Sequence, residues 1–188
     1  MSWIAYAAAL WLALGLDLGL RPVTELGASG IAPSFVVILV VFVSLYAPAT
    51  TAMIAGLIAG LLLDLTHTVP LTNAADSMTI VGPYALGLMA GAYSVVVTRA
   101  LVMQHNILTY AFLAFVASMV MSIFAVTLFT LRSYYDPFLF SPGAELLSRT
   151  GASLFTAMLA LAVVPLLRVF IAVFGFPAGG MGRRRGWM

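Results

Sequence analysis

The stretch Pro48 to Leu65, PATTAMIAGLIAGLLLDL, limits what this chain can fold into more than any other. It is apolar and just long enough to cross a bilayer as a helix, at 1.5 Å per residue and ~27 Å in all. Ala52, Gly56, Gly60 and Asp64 recur every four residues, which sets them in a drifting row on one helix face, and Ala55 and Ala59 widen that row. Where lipid removes the hydrophobic drive to associate, a face of small residues lets another backbone come close. The row ends on a carboxylate, which costs free energy in hydrocarbon and so belongs at the interface or against protein. This helix is expected to be the packing centre of a polytopic membrane protein.

The rest of the chain agrees. Of 188 residues 63% are hydrophobic and 7% charged, with a mean hydropathy of +1.14, against about 25% charged in soluble domains. There is no cysteine, which excludes disulfides, thiol catalysis and zinc–thiolate sites. All eight basic residues are arginine. The first apolar run lacks a basic leader and a small-residue cleavage site, and is read as the first span. Apart from the last few residues nothing favours nucleic acid.

Six spans are expected, at about residues 3–20, 31–46, 48–65, 80–97, 107–131 and 149–174, forming one transmembrane domain over 1–176 with a basic cytoplasmic tail at 177–188. The fold class is all-α. Pro33 is placed in the first turn of span two, where a missing amide costs little. Ala47-Pro48 is a tight turn that makes spans two and three antiparallel neighbours. Thr66 to Thr79 is a polar connection with room for one short helical turn. Gly87 and Gly91 form a second small-residue row in span four, and Ala114, Ser118 and Ser122 a third in span five. Ser141, Pro142 and Glu145 read as a helix start: a hydroxyl cap, proline at the first position and an acid in the first turn. Pro165 is an expected kink.

Charge sets an expected orientation. Arg99, Arg168, Arg183, Arg184 and Arg185 fall on the side of both termini, and Arg21, Arg132 and Arg149 on the other. The positive-inside rule then puts both termini in the cytoplasm. All six acids, Asp17, Glu25, Asp64, Asp76, Asp136 and Glu145, fall on the outer side.

Chemistry-bearing residues are few. Asp64, His67 and Asp76 lie close in sequence; they could form a proton relay, a metal site or a pair of catalytic acids, or Asp64 could cap a neighbouring helix end while the other two are solvated. Their spacing fits no metal motif, and neither a metal nor a cofactor is expected. Asp17 and Arg21 form an i, i+4 surface pair at the end of span one, worth ~0.3 to 0.5 kcal/mol. The rows with Gly56, Gly60, Asp64, Gly87 and Gly91 pack helices within the chain or receive a partner's helix. Tyr134, Tyr135, Phe138 and Phe140 make an interfacial aromatic belt or a docking surface. Arg183, Arg184 and Arg185 reach anionic lipid headgroups, at about 1 kcal/mol each. No Walker loop, HExxH, Gly-x-Ser-x-Gly or dinucleotide fingerprint occurs. No enzymatic activity is expected.

The order IAPSFVVILVVFVSLY, a short turn, AGLIAGLLLDL, Pro70-Leu71 and then GPYALGLMAGAY resembles the MreD family, rod-shape-determining proteins of the bacterial inner membrane. Pro33, Gly56, Gly60, Leu61, Asp64 and Pro70-Leu71 carry the likeness, which covers all but the tail. Thr72 stands where the family usually has glycine, and the polar stretch with Asn73 and Asp76 delays span four. The resemblance implies a non-enzymatic scaffold of the cell-elongation complex, acting in cell shape and peptidoglycan synthesis. It would bind the single-span protein MreC, and through it work with the MreB filament, the polymerase RodA and its class-B penicillin-binding transpeptidase. It also implies a fold similar to the six-helix substrate-binding subunits of energy-coupling-factor vitamin transporters. The alternative reading is therefore a small-molecule-binding subunit of such a transporter. Against it stands a shortage of buried polar groups to orient a ligand. A third reading, an intramembrane hydrolase using Asp64 and Asp76, lacks a glycine-rich active-site turn before Asp64.

Overall fold

Helix formation follows the apolar runs. The computed structural model describes residues 1–24, 31–70, 77–99, 101, 107–135 and 141–176. Its helices are α1 (Trp3–Thr24), α2 (Phe35–Tyr46), α3 (Ala49–Thr66), α4 (Pro83–Thr98), α5 (Ile107–Arg132) and α6 (Pro142–Val169). Four of them, α1, α3, α5 and α6, are long and apolar enough to cross a membrane. The other two are shorter: α2 has 12 residues and α4 has 16, about 18 and 24 Å against a hydrocarbon core of ~30 Å.

The centre of the molecule is α2, not the glycine-rich α3. Every residue from Val36 to Leu45 is buried, and α2 touches all five other helices. A helix apolar on all sides belongs in an interior. Its shortness makes the same demand. In lipid its unpaired terminal backbone groups would lie within hydrocarbon, so they must be satisfied by protein. At the N-terminus Asp17 accepts from the Phe35 and Val36 amides at 2.5 and 3.3 Å, and from Ser34 Oγ at 2.9 Å. Ser34 is itself the N-cap and accepts from the Val37 amide. At the C-terminus the Arg99 guanidinium donates to the carbonyls of Ser44 and Ala47. Acid at the start and base at the end also match the helix dipole. The expected surface pair of Asp17 with Arg21 thus gives way to a cap, because three donors of α2 reach the carboxylate.

The small-residue rows are filled by the chain's own helices. A Cβ on Gly56 would stand 2.7 Å from the Leu88 carbonyl oxygen, and one on Gly60 only 2.5 Å from Ala85 Cα, so α3 meets α4 backbone to backbone. On another face of α4, a Cβ on Gly87 or Gly91 would come within 2.8 Å of the carbonyl oxygens of Met121 and Ala117 on α5. The Tyr6 hydroxyl donates to the Ala55 carbonyl at 2.7 Å, tying α1 to α3. Ser118 and Ser153 hydroxyls pair at 2.9 Å between α5 and α6.

Several local expectations are revised. Helix α1 runs on through Arg21 and Pro22 to Thr24 instead of ending near Leu20. Pro33 precedes the Ser34 cap and so lies outside α2. After α3, strands β1 (Thr68–Pro70) and β2 (Ser77–Thr79) pair antiparallel, with Thr68 opposite Thr79; residues 71–76, which leave room for the expected helical turn, lie outside the described residues. Pro83, not Ile80, opens α4, after Gly82 at φ 126°, a conformation that favours glycine. Helix α6 begins at Pro142 as expected, but the Ser141 hydroxyl makes no capping bond. It ends at Val169, and the chain then turns back so that Phe174 and Phe176 pack on Phe42, under the end of α2. The Ser2 amide donates to the Phe174 carbonyl at 2.8 Å, which brings the two ends of the described fold together.

Candidate functional site

The end of α3 and the start of α4 build the first wall of the site. Asp64 is fully buried and accepts from the amides of Gly82, Tyr84 and Ala85 at 2.8, 2.9 and 3.1 Å. One carboxylate therefore satisfies most of the orphan donors at the start of α4. The device repeats that of Asp17 on α2. In both, an acid near the end of one helix closes the first turn of the next.

Pinning α4 in this way fixes Tyr84. Its hydroxyl accepts from Arg149 Nη2 of α6 at 2.6 Å, and Arg149 Nε donates to Glu145 at 2.9 Å. The His67 ring lies against Tyr84 at 4.9 Å between centroids, and its Nδ1 meets the Leu63 carbonyl at 3.0 Å. With an acceptor there, Nδ1 carries the proton. Burial pushes the His67 pKa below its ordinary value; the hydrogen bond to Leu63 opposes this, and the positive charges of Arg21 and Arg149 reinforce it.

Beside these groups lies a cavity of about 450 Å³, a volume typical of small-molecule sites. Its floor is the capped start of α2, and α1, α3, α4, α5 and α6 all contribute walls. It exists because α2 stops short. Asp17, Arg21, His67, Tyr84, Ser122 and Arg149 are among its polar lining, while Leu63, Met121 and Phe129 supply apolar surface. Polar groups that are sparse along each helix converge here, although of these six only Tyr84 and Ser122 are buried and Arg21 is exposed.

The residues singled out from sequence divide three ways. Gly56, Gly60, Gly87 and Gly91 hold helices together and are covered by their neighbours, while Asp64 is a cap. Tyr134 and Tyr135 follow α5 and are 80% and 84% exposed, the exposure a docking surface requires. Phe138, Phe140, Arg183, Arg184 and Arg185 lie outside the described residues, as do Glu25, Leu71, Thr72, Asn73 and Asp76. Among the described residues no three His, Cys, Asp or Glu side chains are placed to hold a metal ion. Sequence reading missed the caps made by Asp17 and Arg99 and the Arg149–Tyr84 pair. A signal for the first did exist: Asp17 and Asp64 stand 17 and 18 residues before Ser34 and Gly82, their first cap partners.

Fold and site together define a helical membrane protein with a polar cavity at its acid-bearing end. No family model matches the chain, and neither a curated protein nor a solved structure matches it at a significant level.

Proposed function

We propose that the chain is a six-span, non-enzymatic scaffold of the MreD type in the bacterial inner membrane, with both termini in the cytoplasm. It would bind MreC, and through it act with MreB, RodA and the class-B transpeptidase in cell elongation. One observation carries the reading: the residues that bear the resemblance, Gly56, Gly60 and Asp64, are those that lock α3 to α4. Their chemistry is architectural, as a scaffold requires. In this reading α2 and α4 complete the six crossings with their ends capped below the membrane surface. Tyr134 and Tyr135, both exposed, offer aromatic anchors to a partner outside the membrane. Arg183, Arg184 and Arg185 would hold the tail to anionic headgroups.

The test is affinity purification of the tagged full-length protein in mild detergent, with mass spectrometry of proteins and small molecules. Recovery of a single-span protein with a periplasmic coiled coil in fixed ratio is the expected result. Recovery of the chain without such a partner would refute it. The cavity of about 450 Å³ favours a second reading, the small-molecule-binding subunit of a vitamin-type transporter. A metabolite that co-purifies in fixed ratio would support that one.

A further inference from the structure

We infer that the cavity above α2 is a binding site for a small amphiphilic anion, a carboxylate or phosphate carried on an apolar body. The charges set the sign. Of the two acids that line it, Asp17 is engaged by the start of α2 and Glu145 by Arg149. Arg21, exposed at the rim, also lines the cavity. The charge of Asp17 reaches it, but the Asp17 oxygens are taken by the start of α2, and no carboxylate among the described residues lies within ion-pair distance of it. Arg149 spends one Nη on Tyr84 and its Nε on Glu145, which leaves further donors of its five-donor fork. Both guanidinium groups line the cavity, and the charge of each reaches His67, which lines it as well.

A second, independent observation points to a ligand. Ser122 is only 2% exposed and lines the cavity from α5. Its hydroxyl makes no hydrogen bond to any described residue, not even the bond to its own helix that Thr127 and Thr130 make on α5. With no protein partner, the hydroxyl is satisfied only from the cavity, on which its oxygen opens. Leu63, Met121 and Phe129 supply apolar wall for the body of the ligand. Converging polar groups over an apolar lining are the usual composition of a small-molecule site.

The same headgroup chemistry has two sources, an anionic phospholipid or a free solute. The inference deepens the second reading by naming the ligand class. A scaffold could hold the same ligand, so the partner capture described above is read separately, and either result can fail alone.

The test uses full-length protein in a neutral maltoside detergent, with hexyl phosphate and hexanoate as probes and hexyltrimethylammonium as the opposite-charge control. Both anions are expected to raise the unfolding temperature saturably, and the cation to leave it unchanged. Losing one charge-assisted contact in Arg21→Gln should raise the half-saturating concentration about tenfold, and Arg21→Lys should restore much of it. Ser122→Leu fills the cavity and should abolish the response. Ala152→Leu, from the α6 wall, does the same if Ser122→Leu does not fold. No saturable response to either anion in protein that elutes as a single folded species would overturn the inference. So would an unchanged response in a folded, cavity-filled variant. In nanodiscs, loss of hexyl phosphate binding with phosphatidylglycerol but not phosphatidylcholine marks the lipid as the source; equal binding in both marks a free solute.

Discussion

Removing the Asp64 carboxylate tests the fold where one side chain does the most. In Asp64→Ala the amides of Gly82, Tyr84 and Ala85 lose their acceptor together. A buried donor left unsatisfied costs about 1–3 kcal/mol, which would make the sum large. Loss of an N-cap in a water-accessible helix costs only about 0.5–2 kcal/mol. Tyr84 borders the cavity, so water can reach part of this turn, while Asp64 itself is fully buried. The expected loss lies between those bounds, at about 3 kcal/mol. For a chain of this size 1 kcal/mol is about 2–4 °C, so the unfolding midpoint should drop by roughly 6–12 °C. Asp64→Asn keeps one acceptor oxygen and loses the charge, and should fall about halfway. The assay is thermal unfolding of the purified protein in maltoside, followed by intrinsic fluorescence. An Asp64→Ala midpoint within about 1 °C of the parent would refute the reasoning, since three buried bonds cannot vanish without cost.

Other perturbations probe separate links. Gly60→Ala puts a methyl group into the backbone of α4 and should cost about 1–3 kcal/mol in the same assay, whereas Gly15→Ala, with open space around it, should cost nothing. Arg99→Gln withdraws the guanidinium from the Ser44 and Ala47 carbonyls and should lower stability by about 1–2 kcal/mol, read as an earlier midpoint. The lowered pKa of His67 means that the folded state takes up its proton less readily than the unfolded chain. Stability from this group is thus complete above the ordinary value of 6.5, and is lost as pH falls below it towards the folded value. His67→Gln should flatten that part of the midpoint-against-pH curve. Tyr134→Ala with Tyr135→Ala should leave the midpoint unchanged, because both side chains are exposed, yet reduce recovery of the partner in the pull-down.

Much of the secondary structure was legible because it depends on local pattern. An apolar run near 18 residues makes a helix whatever surrounds it, and α3 and α5 lie within one residue of their expected ends. The close approach at Gly56, Gly60, Gly87 and Gly91 was legible for the same reason: a missing side chain every fourth residue is a property of one helix face. The end of α1 was misjudged because Arg21-Pro22 reads as a break, yet a proline in the last turn leaves the preceding turns intact. The hairpin β1–β2 gave no local sign, since three residues per strand carry no periodicity.

The sequence by itself determined the class of molecule, its helical elements and the faces by which α3, α4 and α5 meet. Each of these follows from residues within a few positions of one another, where composition and helix geometry suffice. Only the tertiary structure decided which helix is central, which acid caps which helix and that a polar cavity remains. Those outcomes rest on pairs far apart in the chain, such as the Ser34 amide on the Thr156 hydroxyl, 122 residues on. The physical reason is that α2, shorter than the hydrocarbon core and with only Ser34 to cap its own start, had to borrow the rest of its caps. Its neighbours had to surround it to supply them, and the space beyond its capped end became the cavity.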